Sequence, residues 1–180
     1  GNLYDRAGGV YTDEAAHPYD DNDLRFARLA LAAVELARGV DALDSRPDVL
    51  HLNDWPGALA AGYLDWQRVP VPSILTIHNL AYQGNFGRDR LRRLGIPETA
   101  FAMDGVEFHG EISFLKAGIY YASQITTVSA AYAREITTPE FGCGLDGLLQ
   151  ARNDQGRLSG ILNGIDESWD PRIDPHLYHP

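Results

Sequence analysis

The segment from Val49 to Ile77 constrains the fold more than any other part of the chain. Val49-Leu50-His51-Leu52 is a short apolar run after Pro47-Asp48, and Asn53-Asp54-Trp55-Pro56-Gly57 is a polar turn leading to a predicted helix over about Ala58–Gln67. Ser73–Ile77 is a second strand, β-branched and bounded by Pro70 and Pro72. Two strands joined through a helix need a crossover, which makes them parallel neighbours. The class is therefore α/β, a parallel sheet flanked by helices. The second strand runs straight into His78 and Asn79, at the carboxyl edge where open α/β sheets bind ligands.

The remaining chain extends this pattern. Residues 1–23 read as loop, closed by Asp20, Asp21, Asn22 and Asp23. A calcium loop of the EF-hand type would need a glycine at its sixth position and a glutamate at its twelfth, which are absent. Capping of a helix over Leu24–Arg38 is the expected role of these acids. That helix is apolar nearly all round, so it is expected to be sandwiched, and Gly39 ends it.

From Gly84 to about Gly110 a long polar stretch is expected to carry small elements or to act as a flap. It holds a short helix at Arg88–Leu94, whose Arg88, Arg90, Arg92 and Arg93 are expected to form a solvated face, and a break at Gly95-Ile96-Pro97. Then follow a helix over Ile112–Ala122, a strand over Gln124–Val128, a Ser129-capped helix over Ala130–Glu135, a helix over Leu145–Ala151 and a strand over Leu158–Leu162. Four strand ends are polar: Asn53-Asp54, His78-Asn79, Ser129 and Asn163-Gly164-Ile165-Asp166.

With 44% hydrophobic residues among 180, the chain can bury one core, and residues 1–180 read as a single domain. A formal net charge of −10, with 15 scattered Lys and Arg, argues against a nucleic-acid surface. The single cysteine, Cys143, excludes an internal disulfide and suits a reducing compartment. No apolar run reaches the ~20 residues of a membrane span and no signal segment opens the chain, so a cytoplasmic location is expected. Gly1 is not an initiator and Met103 is the only methionine, which suggests a piece of a longer protein, with 167–180 as the start of a linker.

Taken singly, the polar strand ends have plain structural readings. His78 could be a hydrogen-bonded core histidine, Asp54 an N-cap before Pro56, and Asn163-Gly164 a turn. Together with Trp55, Tyr82 and Trp169 they offer hydroxyl partners and apolar ring faces, the mixture a sugar requires. No Gly-x-Ser-x-Gly elbow occurs and Cys143 has no evident base partner, so a nucleophilic triad fits poorly. A metal site from His51, Asp54, His78 and His109 is the sharpest rival, although it lacks zinc-enzyme spacing and His51 is expected to face the core.

His51-Leu52-Asn53-Asp54-Trp55, Thr76-Ile77-His78-Asn79-Leu80-Ala81-Tyr82-Gln83-Gly84 and Phe114-Leu115-Lys116-Ala117-Gly118-Ile119-Tyr120-Tyr121-Ala122 together resemble the bacterial glycogen synthases and plant starch synthases in order and spacing. So do Thr126-Thr127-Val128-Ser129, Thr138-Pro139-Glu140-Phe141-Gly142, Gly144-Leu145-Asp146-Gly147-Leu148-Leu149 and Gly160-Ile161-Leu162-Asn163-Gly164-Ile165-Asp166. The resemblance implies a retaining glucosyltransferase that moves glucose from ADP-glucose to the non-reducing end of an α-1,4-glucan, without a further cofactor. It also implies a glycosyltransferase B-type fold, of which this chain would be part of the amino-terminal, acceptor-side Rossmann-like domain.

By the same resemblance His78 lies beside the donor glucose as the catalytic residue. Asp54, Asn79 and Asn163 line that pocket, with Tyr82, Gln83, Gly142 and Gly144 near it. The family's Lys-x-Gly-Gly-Leu loop and its carboxyl-terminal, diphosphate-holding domain have no counterpart here, and Asn53 stands where many relatives have histidine. The isolated chain is therefore expected to be inactive. A carbohydrate-binding or structural module without catalysis, and less readily a metal-dependent hydrolase, are the alternatives. Surface left uncovered in such a piece is expected to favour self-association.

Overall fold

The computed structural model describes residues 3–39, 46–165, 170 and 172. Its centre is a four-stranded parallel sheet of β1 (Leu50–Asn53), β2 (Ser73–Ile77), β6 (Gln124–Thr127) and β7 (Leu158–Gly160), in that spatial order. Leu52 pairs with Leu75, Leu75 with Ile125, and Ile125 with Leu158. The expected β-α-β unit is formed by β1, α2 (Asp54–Trp66) and β2.

Every connection steps across this sheet in the same direction. Right-handed crossovers therefore stack their helices on one face. That face is built by α2 and α4 (Phe114–Tyr121), which meet where Gly118 lies against Ala58 and Leu75. A Cβ on Gly118 would stand 2.6 Å from the Ala58 Cβ, so only glycine allows this approach. Beneath the two helices lie Leu52, Leu75, Ile77 and Ile125, all buried. The opposite face carries a polar row, in which His51 Nε2 meets Thr76 Oγ1 at 2.7 Å and Thr76 Oγ1 meets Thr126 Oγ1 at 2.7 Å. His51 is exposed, contrary to the core position expected for it, because strand alternation puts Leu52 rather than His51 under α2.

The first helix, α1 (Asn22–Arg38), packs on α2 through one stripe: Phe26, Ala27, Ala30, Val34 and Ala37. It is not the sandwiched helix its composition suggests, since Leu29 and Leu36 are about half exposed. The alanines permit close contact on one side only. The acids before it do not cap it either. Asp21, at the N-cap position, makes no capping bond and instead pairs with Arg6 at 2.7 Å, while Asp23, 1% exposed, pairs with Arg93 and lies 3.6 Å from Arg90. Two arginines expected on a solvated face thus hold a buried carboxylate and tie the 85–110 segment to α1.

That segment carries elements of its own. β3 (Asn85–Gly87), β4 (Glu107–Phe108) and β5 (Glu111–Ser113) form a small antiparallel sheet ordered β3-β5-β4, and α3 (Leu91–Leu94) lies between β3 and β4. β5 takes Ile112 and Ser113 from the front of the helix expected over 112–122. Ser113 then caps α4, its Oγ accepting from Lys116 N at 3.1 Å. The Lys116 ammonium is buried and donates to the carbonyls of Met103 and Glu107, and burial lowers its affinity for its proton. After β6 come α5 (Ala130–Glu135), capped by Ser129 as expected, and α6 (Asp146–Asp154). The final strand stops at Gly160, leaving Ile161 and Leu162 exposed. Asp166, Trp169 and most of the expected linker lie outside the described residues.

Candidate functional site

The carboxyl ends of β1 and β2 are joined by Asp54. Its Oδ1 accepts from the backbone N–H of His78 at 2.7 Å and of Asn79 at 3.4 Å. Asp54 begins α2 with φ +49°, a left-handed conformation that aspartate tolerates better than most side chains. Its carboxylate crosses to the neighbouring strand end, which replaces the capping role expected from the sequence. The Asn79 Oδ1 in turn accepts from Ala81 N at 3.0 Å, an Asx turn that bends the chain away from the sheet. Leu80, buried, donates its N–H to the Tyr132 hydroxyl at 2.9 Å. The strand end is thus held on three sides.

Beside this turn opens a cavity of about 850 Å³. Its apolar wall is made by Tyr11, Trp55 and Phe86, and its polar wall by Asp54, Asn79 and Gln83, with Tyr82 exposed at the rim. Trp55 is the centre of the aromatic group, with ring centroids 5.6 Å from Tyr11, 4.6 Å from Phe26 and 6.0 Å from Phe86. Gly84 has φ +61°, and a Cβ there would stand 2.4 Å from the Trp55 ring. Glycine at this position lets the chain pass over the indole.

Gln83 is 8% exposed, and its Nε2 donates to the Cys143 carbonyl at 3.0 Å. This bond links the cavity wall to the Gly142-Cys143-Gly144 loop. Cys143 and Gly144 both have positive φ, and Gly144 lies against Phe108. Among the described residues the Gln83 Oε1 is buried without a partner, an acceptor able to take a hydroxyl donor after a small rearrangement.

Asp54, Asn79, Tyr82 and Gln83 are therefore brought together, with Gly142 and Gly144 joined to them through Cys143. His78 is tied to Asp54 by its backbone N–H but lies outside the cavity lining. Its Nε2 meets Asn53 Oδ1 at 3.1 Å, so Asn53 orients the imidazole. Asn163 is exposed and makes no contact with the others among the described residues. The four groups of the rival metal site do not converge: among the described residues no three His, Cys, Asp or Glu side chains gather around a common point.

The sequence did not point to Tyr11, which lies in a loop without periodicity. It is placed by Arg25, 3% exposed, whose guanidinium donates to the carbonyls of Leu3 and Val10 and to Asn22 Oδ1, with the Tyr19 ring 4.8 Å away. Three bonds from one planar group thus tie the loop, at Leu3 and Val10, to the start of α1.

The model of the starch synthase catalytic domain matches residues 1–151. The chain belongs to this family. Glycogen synthase 1 of Bradyrhizobium diazoefficiens is 61% identical over 170 residues, covering 94% of this chain and 37% of that protein. A glycogen synthase of Pseudomonas syringae pv. syringae is 54% identical over 175 residues, covering 97% and 36%. The catalytic domain of starch synthase IV from Arabidopsis thaliana, solved bound to ADP and acarbose, superposes with a TM-score of 0.74 at 29% identity, covering 92% of this chain and 35% of that one. The chain thus spans little more than a third of the length of these relatives. The family's parallel sheet flanked by helices is the fold described above. Among the described residues no helix is long and apolar enough to cross a membrane.

Proposed function

We propose that this chain belongs to a retaining glucosyltransferase that moves glucose from ADP-glucose to the non-reducing end of an α-1,4-glucan. The chain contributes the acceptor-side wall of the site. The observation that carries this reading is the Asp54 carboxylate bound to the amides of His78 and Asn79 at the lip of an aromatic-lined cavity. Glucose rings of the acceptor lie against Trp55, Tyr11 and Tyr82, and their hydroxyls bond to Asp54, Asn79 and Gln83. The same acceptor-and-ring mixture suits acarbose, which the Arabidopsis relative holds together with ADP.

Outside the cavity lining, His78 faces the donor sugar and acts as the catalytic residue of this wall. The Gly142–Gly144 loop and Asn163 belong to the donor side. The transition state has oxocarbenium character and a departing diphosphate, so two sets of charges need stabilisation. This chain supplies neutral and anionic groups on the sugar side only, so it is inactive alone. No cofactor beyond the nucleotide sugar is invoked, and the setting is cytoplasmic. The sheet face of His51, Thr76 and Thr126, with exposed Ile161 and Leu162, promotes self-association of the isolated chain; a single monomeric species by sedimentation at high concentration would count against it.

The deciding experiment is glucosyl transfer to glycogen by the full-length protein with ADP-glucose and with UDP-glucose. ADP-glucose turnover that His78→Ala reduces by about a hundredfold or more is expected, in line with loss of a transition-state contact. Glucan binding without turnover by the wild type would leave the carbohydrate-binding module as the surviving reading.

A further inference from the structure

At the amino ends of β6 and β7, at the far end of the sheet from Asp54, a second polar cavity of about 700 Å³ is lined by Asp65, Asp104, Tyr120, Tyr121, Arg152 and Arg157. Arg152 is 7% exposed. One of its terminal nitrogens donates to the Ala122 carbonyl at the end of α4 and the other to Gln155 Oε1 at 3.3 Å. Its Nε is buried and, among the described residues, has no partner. Capping of α4 therefore accounts for part of this guanidinium but not for all of it.

Nor is its charge balanced. Among the described residues neither Arg152 nor Arg157 has a carboxylate within ion-pair distance, while the two lie close enough for Arg157, together with burial, to weaken the hold of Arg152 on its proton. A buried cation beside a second cation is unfavourable unless an anion joins them. The other wall of the cavity carries a complementary set. Asp65 and Asp104 are exposed carboxylates without ion-pair partners among the described residues, and the Tyr120 and Tyr121 rings meet edge to face at 4.8 Å. Carboxylates accept hydroxyl protons and tyrosine rings take the apolar face of a sugar.

We propose that this cavity is a second ligand site, separate from the glucan cavity, which binds a phosphate monoester of a sugar: the phosphate on Arg157 and on the Arg152 guanidinium, whose buried Nε–H a small side-chain shift brings to the cavity, the hydroxyls on Asp65 and Asp104. A bidentate arginine contact to phosphate is the strong part of this recognition. The carboxylates repel a bare anion and reward a hydroxylated one, which separates a sugar phosphate from inorganic phosphate.

The test uses the chain itself and needs no catalytic activity. The arginine Nε–H resonance of Arg152 is followed by NMR during titration, at constant ionic strength, with glucose 1-phosphate, inorganic phosphate and glucose. A saturable shift with glucose 1-phosphate is expected, with inorganic phosphate binding roughly tenfold more weakly and glucose alone giving none. Arg157→Gln, at an exposed position, should weaken both phosphates by about tenfold or more. Asp104→Asn, also exposed, should weaken glucose 1-phosphate and leave inorganic phosphate unchanged or tighter. Circular dichroism establishes that both variants fold. No shift with any phosphate overturns the proposal. So does a non-saturating response alike for all anions and unchanged in Arg157→Gln, which would mean an adventitious ion only.

Discussion

Asp23 and Arg93 offer an asymmetric test of how the 85–110 segment is held. The Asp23 side chain is 1% exposed, whereas Arg93 and Arg90 are 39% and 35% exposed. Arg93 makes both of its hydrogen bonds to this carboxylate, and Arg90 approaches it only to 3.6 Å. Arg93→Met keeps the aliphatic stem but leaves a carboxylate at 1% exposure with a single distant partner, a change of the class that costs ~3–5 kcal/mol. Asp23→Asn keeps the shape and one acceptor, and leaves two arginines that water already reaches. It should cost only ~1–2 kcal/mol.

Urea unfolding followed by circular dichroism reads both, with a double-mutant cycle to isolate the pair. The double variant should be closer to Asp23→Asn than to the sum, because removing both charges removes the stranded carboxylate. Equal costs, or a larger cost for Asp23→Asn, would refute the claim that a desolvated carboxylate dominates this junction.

Three further outcomes follow from the site and the loop before α1. Gly84→Ala puts a Cβ against the Trp55 ring at φ +61° and should destabilise the chain by ~2–3 kcal/mol while altering tryptophan fluorescence; near-wild-type urea stability would contradict the packing described. Tyr132→Phe strands the Leu80 N–H and should cost ~1–3 kcal/mol in the same assay, with faster amide exchange at Leu80. The Arg6 hydrogen bond holds the Asp21 carboxyl below its ordinary value of 3.8. The unfolded state therefore binds more protons in the window below 3.8, and this contribution to stability is present above it and lost as pH falls through it. Asp21→Asn should flatten that acid limb, read from urea midpoints at about pH 5 and about pH 3.

The parallel sheet was legible because its strands are apolar runs bounded by proline and polar turns, and the order of polar strand ends followed from that. Periodicity says less about neighbours. It made α1 look sandwiched, although Leu29 and Leu36 face outward, and it put His51 in the core, although alternation gives that side to Leu52. Charge pairing over long separations was invisible: Asp23 and Arg93 are 70 residues apart, and nothing local distinguishes them from a cap and a solvated helix face. That Asp54 and Asn79 stand side by side was legible because they sit at adjacent strand ends, whereas Gln83 beside them was expected only from the family resemblance. Tyr11 was not, since its position depends on Arg25 binding the carbonyls of a loop that has no pattern of its own.

The central claim is that the cavity beside Asp54 receives glucan. Its most direct test is titration of this chain with maltoheptaose, observed through side-chain and backbone NMR resonances. The account predicts saturable shifts confined to the Trp55 indole, the Gln83 side-chain amide and the amides of Asn79 and Tyr82, lost in Trp55→Ala. No shift at saturating maltoheptaose, or shifts elsewhere that survive Trp55→Ala, would contradict it.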